Sequence, residues 1–367
     1  MSADVQTIVI GAGAIGLASA RALALKGQDV LVVEQHNKIG AETSSRNSEV
    51  VHAGLYYPES SSRAIHCVKG KRLLYRFCRD HGVEYKRCGK IIVSTSQCQL
   101  EKLDALQAAA SKNNVNDLIR LSPKDINLIE PKVHCTGGLL SPSTGVIESH
   151  SFMQALQGEA ESHGAQVVLG CQVRRLWSHI NDCNLAIELT DGDFVKCQKL
   201  ILSAGLHATD LASTLIFDSD YVLPHTYYAK GQYYAFSEQS PFSRHIYPLP
   251  DGAWLGLHAT VDISGRCKFG PDIEWVDKID YNLETGNLDS VIELIRSYYP
   301  ELDATKLYPD YCGIRPKLYR QGETPKDFMI HGPDEHKIDG LVMLFGIDSP
   351  GLTSCMSIAE EVVKKLN

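Results

Sequence analysis

The sequence lacks the marks of several protein classes, and each absence narrows the reading. Its 11 cysteines are odd in number and scattered, with no C-x-x-C pair. That excludes a disulfide framework as the organising device and fits reduced thiols. The 14 histidines are dispersed as well, so no Cys/His set has metal-ligand spacing. Basic charge is not in excess: 36 Lys and Arg stand against 44 Asp and Glu, a formal charge of −8, which leaves no footprint for nucleic acid. No targeting segment or membrane span is expected. The apolar stretch from Thr7 to Leu25 contains Gly11, Gly13, Gly16 and Arg21, and its leader is acidic at Asp4. A cytoplasmic protein is the expectation, with peripheral membrane association left open. Repeats, low-complexity tracts and long linkers are missing too, and 367 residues suffice for two domains or one interleaved body.

What is present is concentrated at the start. Thr7 to Ile10 reads as a strand, Gly11-Ala12-Gly13-Ala14-Ile15-Gly16 as a turn into a helix, and Asp29 to Val33 as a second strand ending on Glu34 and Gln35. This order binds the ADP half of a dinucleotide. Gly11 permits the tight turn, Gly13 lets backbone approach a pyrophosphate, and Gly16 lets helix and strand pack closely. An acid at Glu34 accepts ribose hydroxyls and so favours FAD or NAD over NADP. A bare G-x-G-x-x-G would be weak evidence; here the flanking strand, helix, second strand and acid fall where the mechanism needs them.

Further along, Arg63 to His81 and Gln99 to Lys112 read as helices, with strands from Tyr85 to Thr95 around Gly89. A helix from Ser149 to His163 is followed by a set of strands read as antiparallel: Gln166 to Leu169, Val173 to Ser178, Leu185 to Leu189 and Phe194 to Val195. Lys199 to Leu202 is another apolar strand running into Ser203-Ala204-Gly205. Tyr221 to Phe236 and Trp254 to Thr260 read as sheet. Leu341 to Phe345, the turn Gly346-Ile347-Asp348-Ser349-Pro350-Gly351-Leu352-Thr353 and a terminal helix from Ser354 close the chain.

The opening unit, Leu200–Gly205 and Gly346–Thr353 thus look like three parts of one nucleotide site, interrupted by β-rich inserts. This arrangement resembles the FAD-dependent oxidoreductases of the D-amino-acid oxidase superfamily, and within it the L-2-hydroxyglutarate dehydrogenases. The residues carrying the resemblance are Ser44 to Tyr57, Cys88-Gly89-Lys90, Ala229 to Tyr234, Leu255 to Thr260, Tyr311 to Pro316 and Gly346 to Thr353. It spans essentially the whole chain. The resemblance implies an α/β (α+β) fold: a Rossmann-like FAD-binding domain from residues 1–84, 146–215 and 322–367, and an interleaved substrate domain on a mixed or antiparallel sheet from 85–145 and 216–321.

For the cofactor, the resemblance implies that Ser44, Ser45 and Arg46 reach the pyrophosphate and the ring. Val173 would offer backbone to adenine. Ala204, Gly205 and the turn Gly346 to Thr353 would border the flavin, with N–H groups from Gly205, Gly346, Ser349, Gly351, Leu352 and Thr353 and with Pro350 as a contact that has no N–H to give. A 2-hydroxy-acid dehydrogenase must also hold a carboxylate, pass a hydride from Cα to flavin N5 and remove the hydroxyl proton. Arg315 is the candidate clamp, since guanidinium binds carboxylate through two parallel hydrogen bonds; the plain alternative is a structural ion pair. Lys230 is either a cation for a second carboxylate or solvent-facing. His258 is a candidate proton acceptor. His52 is a second one, and also a conceivable point of covalent flavin attachment. Tyr57 and His150 are lesser candidates.

The implied activity is oxidation of a small carboxylate, L-2-hydroxyglutarate to 2-oxoglutarate, with electrons passed to a quinone or dye rather than oxygen. The competing readings are an amino-acid or N-methylamino-acid oxidase, which would respond to glycine, sarcosine or proline, and a non-catalytic flavin-binding partner protein, in which Arg315 and His258 would be dispensable.

Overall fold

Unbroken apolar runs, rather than alternating ones, mark strands buried on both faces of a parallel sheet. Ile8 to Ile10, the buried end of Val5–Ile10 (β1), is such a run, followed by the helix Ala14–Ala24 (α1) and the strand Val30–Val33 (β2), which lies parallel to β1. The computed structural model describes residues 3–180, 183–217, 220–249, 256–284 and 288–366. They form two compact units. The first comprises Met1–Ser45, Ser149–Tyr228 and Arg315–Asn367; the second comprises Arg46–Glu148 and Ala229–Ile314.

In the first unit three chain segments share one parallel sheet. Gln166–Val168 adds to β2, Phe194–Leu202 adds to the other side of β1, and Leu341–Phe345 adds beyond that, all in parallel. The order is therefore 166–168, β2, β1, 199–202 and 341–343, with the chain reversing direction of growth at β1. In open parallel sheets ligands bind at the carboxyl ends of strands beside such a reversal. The register sets Ile10 opposite Leu202 and Leu202 opposite Met343, so the glycine turns after these strands leave from one edge. Helix α1 packs on the terminal helix Gly351–Lys365 and on Ser149–Ser162. The core on this sheet includes Ile8, Ile10, Leu200, Leu202, Leu341 and Met343.

Two expectations need correction here. Gln166–Val168 is not antiparallel but joins β2 in parallel. Phe194 to Leu202 is one strand, not two: its first half pairs antiparallel with Cys183–Leu189 and its second half parallel with β1. The polar residues Lys196, Gln198 and Lys199 hid this continuity in the sequence.

The second unit is built on a mixed sheet. His245–Pro248 runs parallel to Lys90–Ser94, which pairs antiparallel with Gly137–Ser141. A smaller antiparallel sheet joins Val50–Val51, Gly145–Ile147 and Tyr85–Lys86. The helix Ser62–His81 is capped by the Ser61 side chain and ended by Gly82 in the left-handed region.

The units divide differently from the sequence reading, chiefly over 46–84. Val68 of that helix packs with Ala53, Leu55, Ile92 and Leu139, so the segment shares the core of the second sheet. Strand Tyr227–Phe236 starts later than read, because Pro224 lacks a ladder donor. The strand read from Trp254 is found only over Ala259–Val261; Trp254 and Leu255 lie outside the described residues.

Candidate functional site

In the first unit the glycine turn is packed to the limit of what a side chain allows. A Cβ on Gly16 would stand 1.9 Å from the Gly11 carbonyl oxygen, and Gly11 itself has φ +96°. Gly13 is the N-cap of α1 and cannot cap it with a side chain. Ser44 does so instead: its Oγ accepts the Ala14 N–H at 3.0 Å, and a Cβ on Gly13 would come 2.8 Å from that oxygen. The Ile15 carbonyl accepts the Ser19 hydroxyl. Ser45 donates to the Gly40 carbonyl, folding the loop back on itself.

Glu34 is buried and has a structural role that sequence reasoning missed. Its carboxylate accepts the Ala12 N–H at 2.8 Å and the His36 N–H at 2.9 Å, tying the end of β2 to the glycine turn. Gln35 donates to Glu42. Glu42 also faces Nε2 of His36 and of His207, each at 3.1 Å. Burial pushes the Glu42 carboxyl up, but the hydrogen bonds and charges of the two imidazoles together hold it below its usual range. The Glu42 hydrogen bond in turn raises His207.

The other two turns complete this edge. Val173 is buried and opens a strand opposite Leu189. Ala204 precedes Gly205, where φ is +53° and a Cβ would meet nothing within 4 Å. At Gly346, φ is +67° and a Cβ would stand 2.5 Å from Leu318 Cγ. Ser349 leads into Pro350, the N-cap of the terminal helix, and Gly351, Leu352 and Thr353 form its first turn. Asp348, buried beneath this turn, accepts from Lys317 Nζ at 2.6 Å. That pair was not read from the sequence, although Asp348 lies inside the closing motif.

These residues suit a dinucleotide. Two helix starts carry N–H groups without intrahelical partners, which attract phosphate. Glu34 keeps lone pairs beyond its two backbone bonds for ribose hydroxyls. Open space borders Gly205, where a side chain would otherwise stand.

Arg315 also belongs to this unit. It is half-buried near the end of the strand Leu307–Lys317, and among the described residues of its unit no carboxylate pairs with it. Arg46, expected beside Ser44 and Ser45, falls in the second unit. Its guanidinium lies 4.2 Å from the Tyr281 ring centroid and donates to the Cys312 carbonyl.

In the second unit the structure brings His52 and His258 together with two groups that the sequence did not single out as chemistry, Lys90 and His245. His52 keeps part of its surface exposed but is ringed by protein. Burial, then the charges of Lys90, His258 and His245, hold its imidazole well below the usual range. His258 stacks on Tyr247 with ring centroids 3.6 Å apart and planes at 6°. His245 is fully buried. Its Nδ1 accepts the Val261 N–H, so Nε2 carries the proton and faces the Gly145 carbonyl. Burial pushes His245 down to about 4. With both nitrogens engaged it is a structural imidazole.

Lys230 is only 3% exposed, which excludes the solvent-facing alternative. Its Nζ lies 3.8 Å from Glu284 Oε1. The Tyr57 carbonyl accepts from Asn113, and His150 is exposed on its helix. Among the described residues no group of three or more His, Cys, Asp or Glu could hold a metal ion, and no helix is long and apolar enough to cross a membrane.

Comparison with known proteins agrees with this geometry. The family model for FAD dependent oxidoreductases matches residues 6–365. The mitochondrial L-2-hydroxyglutarate dehydrogenase of Arabidopsis thaliana is 38% identical, the match covering 98% of this chain and 83% of that one. The L-2-hydroxyglutarate dehydrogenase of Escherichia coli K12 is 25% identical over 98% and 92% of the two chains. Among solved structures, an L-alpha-glycerophosphate oxidase from Mycoplasma pneumoniae with FAD bound superposes with a TM-score of 0.88. That alignment has 23% identity and covers 99% and 94% of the chains. A fingerprint pinned by Glu34, two further glycine turns on the same sheet edge, and a family match over nearly the full length lead to one statement: the chain belongs to the FAD-dependent oxidoreductase family.

Proposed function

We propose that the protein oxidises a 2-hydroxy acid, L-2-hydroxyglutarate in the first instance, to the 2-oxo acid. The observation that carries this reading is His52, an imidazole kept neutral in a cluster whose other members are basic or aromatic. An alcohol gives up its proton only to a group that is unprotonated at working pH, and Lys90, with no carboxylate partner among the described residues, favours an anionic substrate when protonated. FAD, when bound, supplies the hydride acceptor. The chain's own residues supply the rest. Arg315 is the residue for the carboxylate next to the reacting carbon, because a guanidinium offers it two parallel N–H donors. His52 or His258 accepts the hydroxyl proton, the latter held in one plane by its stack on Tyr247. The electron acceptor is a quinone or dye rather than oxygen. Ten described cysteines are free thiols, which fits a reducing compartment such as the cytoplasm.

The test is anaerobic mixing of the flavin-loaded protein with a panel of 2-hydroxy acids and amino acids. L-2-hydroxyglutarate should bleach the flavin band near roughly 450 nm. Bleaching by glycine, sarcosine or proline instead, with peroxide released in air, would overturn the reading. His52→Asn should lower kcat/KM by about 10²–10⁴-fold if His52 is the base; an unchanged value passes that role to His258.

A further inference from the structure

Lys90 opens the strand Lys90–Ser94, which is buried at every position, and is itself 1% exposed. A buried ammonium is ordinarily answered by a carboxylate. Among the described residues Lys90 forms no ion pair; aromatic faces flank it instead. Its Nζ lies 4.8 Å from the Tyr56 ring centroid and 4.4 Å from that of Tyr247. Tyr247 also carries His258 stacked at 3.6 Å, which leaves no room on that face. Lys90 and His258 therefore take opposite faces of the same tyrosine.

The titratable groups around Lys90 offer no anion at neutral pH. Cys67, from the helix Ser62–His81, has its thiol pushed up to about 12 by burial. His52, after the strand Val50–Val51, and His245, on the neighbouring strand, are both held neutral. Burial pushes Lys90 itself down to about 7, so its proton is only loosely held. Lys230, the cation that the sequence suggested for a second carboxylate, already faces Glu284.

We infer that Lys90 is a specificity-determining residue whose ammonium receives the second carboxylate of a dicarboxylic substrate. The inference rests on the 2-hydroxy-acid reading above and narrows it. Two tyrosine faces hold an ammonium without consuming a carboxylate, so its charge stays uncommitted until an anion arrives. His52, Tyr56 and His258 keep part of their surface exposed, so the cluster reaches solvent through them although Lys90 is covered. A charge-assisted hydrogen bond of this kind contributes about 1.5–3 kcal/mol, or roughly ten- to hundredfold in affinity.

The test uses two unreactive anions of matched chain, glutarate and butyrate, titrated calorimetrically into the flavin-loaded protein. Wild type should bind glutarate about ten- to hundredfold more tightly. Lys90→Met should lose that preference while binding butyrate as before, and Lys90→Arg should retain part of it. A Lys90→Met protein with intact flavin absorbance and an unchanged glutarate-to-butyrate ratio overturns the inference. Should the variants fail to fold, the wild type still decides. Its glutarate preference should fall by up to about tenfold per pH unit above 7, as Lys90 loses its proton. A flat ratio from pH 7 to 9 overturns the inference. These outcomes are independent of flavin bleaching, so a wild type with the preference but no reaction with 2-hydroxy acids would refute the activity and leave the anion site standing.

Discussion

Beneath the closing turn of the first unit, Asp348 and Lys317 meet at 2.6 Å, both largely buried. In the histidine cluster of the second unit, Lys90 is as deeply buried but, among the described residues, meets two tyrosine faces, a protonated thiol and imidazoles rather than a carboxylate. The first charge is answered by a carboxylate just ahead of the terminal helix. The second is left open, and the protein tolerates it by loosening its proton. Beside the closing turn the charges close on one another; in the histidine cluster the lysine has no carboxylate partner among the described residues.

The largest test of that contrast removes the acid from the closed pair. Asp348→Ala leaves Lys317 buried and unanswered, and should lower unfolding stability by about 3–5 kcal/mol in chemical denaturation. The double replacement Asp348→Leu with Lys317→Met should recover most of this; a single-variant loss below about 1 kcal/mol would break the contrast. Next in size is Gly16→Ala, whose Cβ would overlap the Gly11 carbonyl. Overpacking of this kind costs about 1–3 kcal/mol, and the opened turn should release FAD on gel filtration. Wild-type flavin occupancy in that variant would show that the turn is not the grip.

The open charge should behave in the opposite sense. Lys90 binds its proton less tightly folded than unfolded, so between about pH 7 and its unfolded value of 10.5 the unfolded chain binds more protons and stability rises with pH. The contribution is at most about 1.4 kcal/mol per pH unit, and Lys90→Met should flatten it without loss of stability at pH 7. The smallest effect belongs to Glu42→Gln. The folded-state value of Glu42 is lowered, so its contribution is lost on acidification below about 4.5; that of His207 is raised, so its share is lost as pH rises through its folded value above 6.5. The half-buried pair should contribute about 0.5–1 kcal/mol, greatest between the ordinary values of 4.5 and 6.5 and fading as pH rises through the raised value of His207. A flat difference across that range would argue against the pairing.

Legibility in the sequence followed the same division. The nucleotide unit could be read because its work is done by backbone: glycines at fixed offsets, apolar runs and an acid at a strand end imply one geometry. Even there, Glu34 holding the Ala12 N–H and Ser44 capping α1 were invisible, since both join segments far apart in the chain. The cluster of the second unit was legible only as names. His52, His258 and Lys230 were singled out for chemistry, whereas Lys90 entered only within Cys88-Gly89-Lys90, with no role of its own. Nothing in Lys90-Ile91-Ile92-Val93 marks the lysine as covered; its 1% exposure follows from packing that the sequence does not print. Ser44, Ser45 and Arg46 were read as one loop, and the boundary between the two units, which falls between Ser45 and Arg46, has no mark in the sequence.

The strand Leu341–Phe345 and the helix after it lie on the far side of Phe194–Leu202 from β1. The turn after that strand leaves from the same sheet edge as the two earlier glycine turns, and it is made long after β1, α1 and β2. A nascent chain can form β1, α1 and β2 early, since these contacts are local, but its grip on the cofactor stays unfinished until synthesis of this segment is over. Flavin capture is therefore a late checkpoint: a chain cut short before Leu341 would keep the glycine fingerprint and still fail to become a holoenzyme.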